Sequence, residues 1–231
     1  MDVANLRENA ARVEDRIAGA LRRAGREGPV SVVAVTKTHP PAVVELALAA
    51  GLRRVGENRV HELAAKVEAV GRDRAEWHLI GHLQRNKVRR ALGLFDLIHS
   101  IDSVRLAETL SREADRAGVE VRGLVQVNTS GEASKAGFDP DEVIEAVGRI
   151  VELPRIRVLG LMTMAPFTDD MTVVRRTFAA ARTLFERCGG EVAGFEARHL
   201  SMGMSNDFEV AVEEGSTMVR LGTILFGERT S

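Results

Sequence analysis

The strongest constraint on this chain is an alternation: eight short apolar runs of strand character, each separated from the next by a stretch with helical period. The strand-like runs are Val30 to Thr36, Arg53 to Gly56, Trp77 to Ile80, Leu97 to His99, Val121 to Val127, Val158 to Met162, His199 to Ser201 and Met218 to Leu221. Helices are predicted from Pro40 to about Ala50, Arg59 to Val70, Gln84 to Leu92, the Ser103 cap to Arg116, Asp141 to Val151, Thr172 to Arg187 with a stop at Gly189-Gly190, and the Asn206 cap to Glu214. Strands that alternate with helices pair in parallel, and eight of them close into a barrel more economically than they form an open sheet. The expected fold class is therefore α/β, a single (β/α)₈ TIM barrel domain over residues 1–231. The alternative is an open doubly wound sheet. Its dinucleotide-binding version needs a G-x-G-x-x-G turn after the first strand, which is missing here. An extra N-terminal helix carries Leu6, Val13, Ile17 and Leu21 on one face. No full helix follows the eighth strand, so this first helix is expected to cover the seam left there.

Composition narrows the function. Apolar residues are 45% and charged residues 28% of the 231, an ordinary globular balance with material for a sizeable core. A net charge of −1 gives no basic field to draw in nucleic acid, so no nucleic-acid partner is expected. The single cysteine, Cys188, excludes an internal disulfide framework and fits a reducing compartment. The opening MDVANLRENAARVEDR is too charged for a secretory signal, and no apolar run is long enough to span a bilayer. A cytoplasmic, monomeric protein with no membrane partner is expected. The histidines are scattered and the cysteine is alone, so no metal spacing is present.

Chemistry in such barrels sits at the C-terminal ends of the strands. Read in order, those ends are Lys37-Thr38-His39, Glu57-Asn58, Gly81-His82, Ser100, Asn128-Thr129-Ser130, Thr163-Met164, Ser201-Met202-Gly203-Met204-Ser205 and Gly222-Thr223. The set is polar and glycine-rich where the strands are apolar, as a ligand site requires. Lys37 follows Val32-Val33-Ala34-Val35 directly. At the end of a buried strand its ammonium is disfavoured, and a neutral amine is a nucleophile for carbonyl chemistry; the plainer reading is a lysine that snorkels to the rim. The segment from Ser201 to Ser205, two hydroxyls flanking Gly203 before a helix start, together with Gly222-Thr223, reads as an anion cradle rather than a pair of turns. Phosphate sites after strands seven and eight recur in this fold. Arg220 points to the same side of its strand as Gly222, either toward a structural partner or toward the ligand. His78, beside Trp77, reads as a hydrogen-bonded core histidine, Glu57-Asn58 as a helix cap, and Arg85, Lys87, Arg89 and Arg90 as one solvated face.

Together, Val33-Ala34-Val35-Thr36-Lys37-Thr38, Gly56-Glu57-Asn58, Trp77-His78-Leu79-Ile80-Gly81 with Gln84 and Asn86-Lys87, Gly160-Leu161-Met162, Ser201-Met202-Gly203-Met204-Ser205 and Val219-Arg220-Leu221-Gly222-Thr223 with Phe226-Gly227 carry a resemblance. Nearly the whole chain resembles the pyridoxal phosphate homeostasis protein family, whose barrel is similar to the N-terminal domain of alanine racemase. The resemblance implies a cofactor, pyridoxal 5′-phosphate (PLP), bound as a Schiff base on Lys37. It also implies phosphate contacts from Ser201, Gly222, Thr223 and the backbone of Met202-Gly203. Arg220 would face the pyridine nitrogen, with Asn58 near the ring. Family members act in vitamin B6 homeostasis and have no established reaction, so a PLP-binding protein rather than an enzyme is expected, with PLP-dependent apo-enzymes as candidate recipients. Two positions depart from the family pattern: Arg59 stands where an aromatic residue is common and His39 where lysine or arginine is commoner. Two other functions stay open: a PLP-dependent amino-acid racemase, and a barrel for another phosphorylated metabolite. Racemisation needs a base on each face of the cofactor. In alanine racemases a tyrosine from a partner subunit serves one face. This chain has no tyrosine, though His82 is a possible substitute.

Overall fold

A strand has two edges to satisfy, and here each one is paired on both. The structure is a computed structural model that describes residues 1–132 and 136–227. In it β1 (Ser31–Val35), β2 (Arg54–Glu57), β3 (Glu76–Leu79), β4 (Leu97–Ile101), β5 (Val121–Gln126), β6 (Ile156–Met162), β7 (His199–Ser201) and β8 (Met218–Leu221) pair in parallel and in chain order. The ring closes between the last strand and the first, with Ser31 opposite Met218 and Ala34 opposite Leu221. The intervening helices are α2 (Pro41–Ala49), α3 (Val60–Val70), α4 (Val88–Ala91), α5 (Val104–Ala117), α6 (Val143–Val151), α7 (Met171–Glu191) and α8 (Phe208–Glu213), with a final single turn, α9 (Thr223–Phe226). This is the expected (β/α)₈ barrel.

The period of two divides the core into two layers, with a register shift in β6 that puts Leu159 and Met162 on one side and Leu161 on the other. Trp77, Leu79, Ile98, Val125, Leu161 and Leu200 face outward and pack beneath the helices. Val33, Leu97, Leu124, Leu159, Met162 and Met218 fill the centre of the barrel. His99 lies two residues beyond inward-facing Leu97, and Arg220 two beyond inward-facing Met218. Both polar residues are therefore inside.

The N-terminal helix α1 (Val3–Arg23) starts at Asp2, whose side chain accepts from the Asn5 amide at 2.9 Å. Its buried stripe, Leu6, Ala10, Val13, Ile17 and Ala20, packs on Phe208 and Val212 of α8, Leu225 and Phe226 of α9, and Ala47 of α2. It thus covers the seam after β8 as expected. Each fully buried large aliphatic side chain there contributes roughly 1.5–3 kcal/mol.

Several local expectations are corrected. The predicted helix after β3 is a 3₁₀ turn, Arg85–Lys87, followed by the single turn α4, because Val88 and Ala91 alone face the core. The helix α7 continues through Gly189-Gly190 to Glu191: Cys188 stays buried on the barrel and the Val192 amide closes on Cys188 O at 3.0 Å, so packing outweighs the glycine cost. The helix α6 begins at Val143, two residues beyond the expected start near Asp141. Asn206 does not cap α8. Asp207 occupies that position, and its side chain accepts from the Met204 amide at 2.5 Å. Ser103 does cap α5, accepting from Leu106 N at 3.3 Å. Among the described residues no helix is long and apolar enough to cross a membrane.

Candidate functional site

Closure of the barrel makes β7, β8, β1 and β2 consecutive, so sequence-distant strand ends share one arc of the mouth. The register of Ala34 with Leu221 brings the chain after β1, carrying Lys37, alongside the chain after β8, carrying Thr223. The His39 ring lies 5.6 Å from that of Phe226 in α9, a second tie between these two ends. On the other side of β8, Arg220 N donates to Gly203 O at 3.0 Å and Ile224 N donates to Ser205 Oγ at 3.4 Å.

Lys37 is half-buried in a tight turn in which the His39 amide donates to Thr36 O at 3.0 Å. Thr38 takes the left-handed conformation, φ 67°, unusual for a β-branched residue. The turn is held from outside by Glu62, whose carboxylate accepts from Thr38 N at 3.0 Å. Beneath it lies a buried ion pair. Lys66 reaches in from α3 to Glu57 Oε1 at 2.5 Å and to Thr36 O at 2.6 Å, and Thr36 Oγ1 donates to the same Glu57 oxygen at 2.5 Å. Glu57 Oε2 is buried with no hydrogen-bond partner. Burial raises the Glu57 pKa above the usual carboxylate value, against the pull of Lys66 and Thr36. Glu57 is thus no helix cap: Arg59 holds the N-cap position of α3, with no side-chain cap bond. Asn58 is half-buried beside Gly81, where a Cβ would come within 2.3 Å of Asn58 O, so only glycine permits this approach.

The phosphate-suited segment is arranged differently from expectation. Ser201 is fully buried and turned inward: its hydroxyl accepts from Arg220 Nη1 at 2.7 Å and bonds His99 Nδ1 at 3.0 Å. Met202 lies in the core and its amide donates to Met218 O at 3.1 Å. The Ser201 hydroxyl and the Met202 amide thus both have partners inside the barrel. The outer hydroxyl, Ser205, lies beside the first turn of α9, where Thr223 is exposed. The first turn of α9 is partly engaged: Ile224 N donates to the Ser205 hydroxyl, and Leu225 N and Phe226 N donate to Gly222 O at 2.9 Å. Gly203 has φ 96°, and a Cβ there would lie 2.6 Å from Ala211 Cβ, so glycine lets this loop seat on α8.

Arg220 is buried, and its side chain bonds two neutral acceptors, Ser201 Oγ and Thr163 O at 3.0 Å. Burial pulls its pKa down to about 10, with Asp207 opposing, so it remains a cation at neutral pH.

The residue pattern and fold have counterparts among known proteins. The chain matches the family model described as alanine racemase, N-terminal domain, over residues 1–230. It is 43% identical to the pyridoxal phosphate homeostasis protein of Aquifex aeolicus, covering 97% of this chain and 99% of that one, and 38% identical to that of Escherichia coli, covering 97% of each. The chain belongs to the pyridoxal phosphate homeostasis protein family. Among solved structures, PipY of Synechococcus elongatus with PLP bound is 37% identical, with a TM-score of 0.83 over 96% of this chain and 100% of that one. An alanine racemase from Clostridium difficile is 16% identical with a TM-score of 0.75, and this chain spans 57% of it, a likeness of fold.

In this member of the homeostasis family, sequence reading missed Glu57 and Lys66 as a pair, and His99 and Thr163 as partners of Ser201 and Arg220. Lys66 leaves a trace in the sequence: it interrupts the apolar stripe Leu63, Lys66, Val70 of α3. His99 is likewise a polar residue at an inward strand position.

Proposed function

We propose that this protein holds PLP at the C-terminal mouth of its barrel, through a Schiff base with Lys37, and serves in PLP homeostasis as a carrier without turnover of its own. The observation that carries this reading is the barrel closure that sets an amine, an anion-suited loop pair and a buried guanidinium on adjacent strand ends. The residues fit the group. Ser205, Gly222 and Thr223 suit the phosphate, while Gly203 shapes the loop. Arg220, a donor-only group, suits an unprotonated pyridine nitrogen, and Asn58 lines the ring side. Bound PLP supplies an aldehyde electrophile and an electron-withdrawing ring. Facing an arginine, that ring is a weak electron sink, which favours storage and delivery to apo-enzymes over catalysis. Domain count and cytoplasmic location follow the sequence reading: one barrel over the whole chain, in the cytoplasm.

Of the four lysines, Lys66 is buried in its ion pair, Lys87 is exposed on the 3₁₀ turn, and Lys135 lies outside the described residues, which leaves Lys37 as the candidate at the mouth. Borohydride reduction of the PLP-loaded protein followed by peptide mapping tests the assignment. A pyridoxyl adduct on Lys37 is expected; an adduct confined to Lys66, Lys87 or Lys135 would refute it.

A further inference from the structure

The barrel interior holds an unbroken line of hydrogen bonds from the mouth to the opposite end. Arg220 Nη1 meets Ser201 Oγ at 2.7 Å, Ser201 Oγ meets His99 Nδ1 at 3.0 Å, His99 Nε2 meets His78 Nδ1 at 2.8 Å, and His78 Nε2 meets Glu76 Oε1 at 3.1 Å. Glu76 Oε2 pairs with Arg54 at 3.0 Å. The members between the two ends, Ser201, His99 and His78, are fully buried. Only the Arg54–Glu76 end reaches solvent, at the margin of a cavity of about 990 Å³ where the strands begin.

The two ends favour one arrangement of the protons. A guanidinium can only donate and an ionised carboxylate can only accept. With His78 neutral, its Nε2 donates to Glu76, which leaves His78 Nδ1 as an acceptor. His99 Nε2 then donates to it, which leaves His99 Nδ1 to accept the Ser201 proton. Ser201 Oγ accepts in turn from Arg220. Every bond is satisfied with both imidazoles neutral. Protonating His99, on β4, would place a second cation among Arg220 of β8, His78 of β3 and His199 of β7, and burial already holds its pKa well below the ordinary value. Arg54 and Arg198 add positive charge around His199, whose pKa is also lowered by burial, while Glu76 opposes them. Hydrogen bonding to His78 favours the ionised form of Glu76.

We propose that this line is a positioning device: His78 and His99 fix the Ser201 hydroxyl as an acceptor, which orients Arg220 as a permanent donor toward the mouth and so holds the pyridine nitrogen of PLP unprotonated. The inference rests on the cofactor reading above. His78, His99 and Ser201 are positioning residues and touch no ligand. The polarity of the line, rather than the imidazole itself, is what matters. Glutamine presents an acceptor oxygen and a donor nitrogen on one planar group, as neutral imidazole does, whereas leucine presents neither.

The test has two arms. In the first, ¹⁵N NMR of the ligand-free protein reads the histidine tautomers. His99 is expected neutral with the proton on Nε2; a proton on His99 Nδ1 overturns the proposal. In the second, PLP labelled with ¹⁵N in the ring is bound to wild type, His99→Gln and His99→Leu. An unprotonated ring nitrogen is expected in wild type and His99→Gln. In His99→Leu a ring nitrogen that takes up a proton near neutrality is expected, with PLP affinity weaker on the order of tenfold, as for loss of one charge-assisted bond. A His99→Leu protein with wild-type ring shift and affinity, or a His99→Gln protein as altered as His99→Leu, overturns the proposal while leaving the cofactor reading in place. A wild-type protein in which borohydride fixes no PLP overturns both.

Discussion

Replacing Lys66 by methionine would remove the amine under the Lys37 turn at nearly constant side-chain volume. Two bonds disappear, to Glu57 Oε1 at 2.5 Å and to Thr36 O at 2.6 Å, and Glu57 keeps only the Thr36 hydroxyl. Its second oxygen is already without a partner, so the carboxylate is left almost bare in a buried site. Breaking a buried pair in this way costs about 3–5 kcal/mol. For a domain of this size, where 1 kcal/mol moves the melting point by roughly 2–4 °C, the expected drop is on the order of 6–20 °C at pH 8. The sign of the pH dependence follows from the direction of the Glu57 shift, upward in the folded wild type and further upward without Lys66. Between the unfolded and the folded pKa the folded state holds a proton that the unfolded state does not, so stability falls as pH rises through that window. Lys66→Met should therefore lie closer to wild type at pH 5 than at pH 8. The double variant Glu57→Gln/Lys66→Met, which removes the orphan charge, should recover more than half of the loss. Thermal and urea unfolding at the two pH values provide the measurement. A Lys66→Met loss below about 1 kcal/mol at pH 8, or a double variant no better than the single, would refute the argument from the buried charge.

Thr223→Val and Ser205→Ala should each weaken PLP binding on the order of tenfold, as expected for loss of a charge-assisted hydrogen bond, and unchanged affinity in both titrations would remove the cradle. Gly203→Ala should lower stability by about 2–4 kcal/mol, because a Cβ there meets Ala211 Cβ at 2.6 Å on a left-handed backbone; an unchanged melting point would contradict the packing described. Incubation with L-alanine in deuterated water should give no rapid exchange at the α-carbon. Exchange at roughly 1–10³ s⁻¹ would restore a racemase function, with exposed His82, bonded to Asp102 at 2.7 Å, as the first base to replace.

The fold was legible in the sequence because its two periods are written there: alternation of apolar strand runs with helical stretches specifies a parallel sheet, and eight repeats favour closure. Lys37, Arg220, Gly222 and Thr223 were legible as strand-end residues for the same reason. What the sequence by itself did not decide was which chemistry-bearing side chains meet. Ser201 and Ser205 are equivalent in a linear reading, but the β7 pleat turns one into the barrel toward Arg220 and His99 and the following loop turns the other out toward α9. Glu57 read as a cap because a cap is a local feature, whereas its partner Lys66 comes from the helix packed over the strand. The line from Arg220 to Glu76 joins β8, β7, β4 and β3, residues far apart in the chain and close only across the barrel axis. Local backbone preferences and periodicity depend on neighbours in sequence and survive in one dimension. Hydrogen-bond partners across a closed sheet depend on register and barrel radius, and only the folded chain sets those.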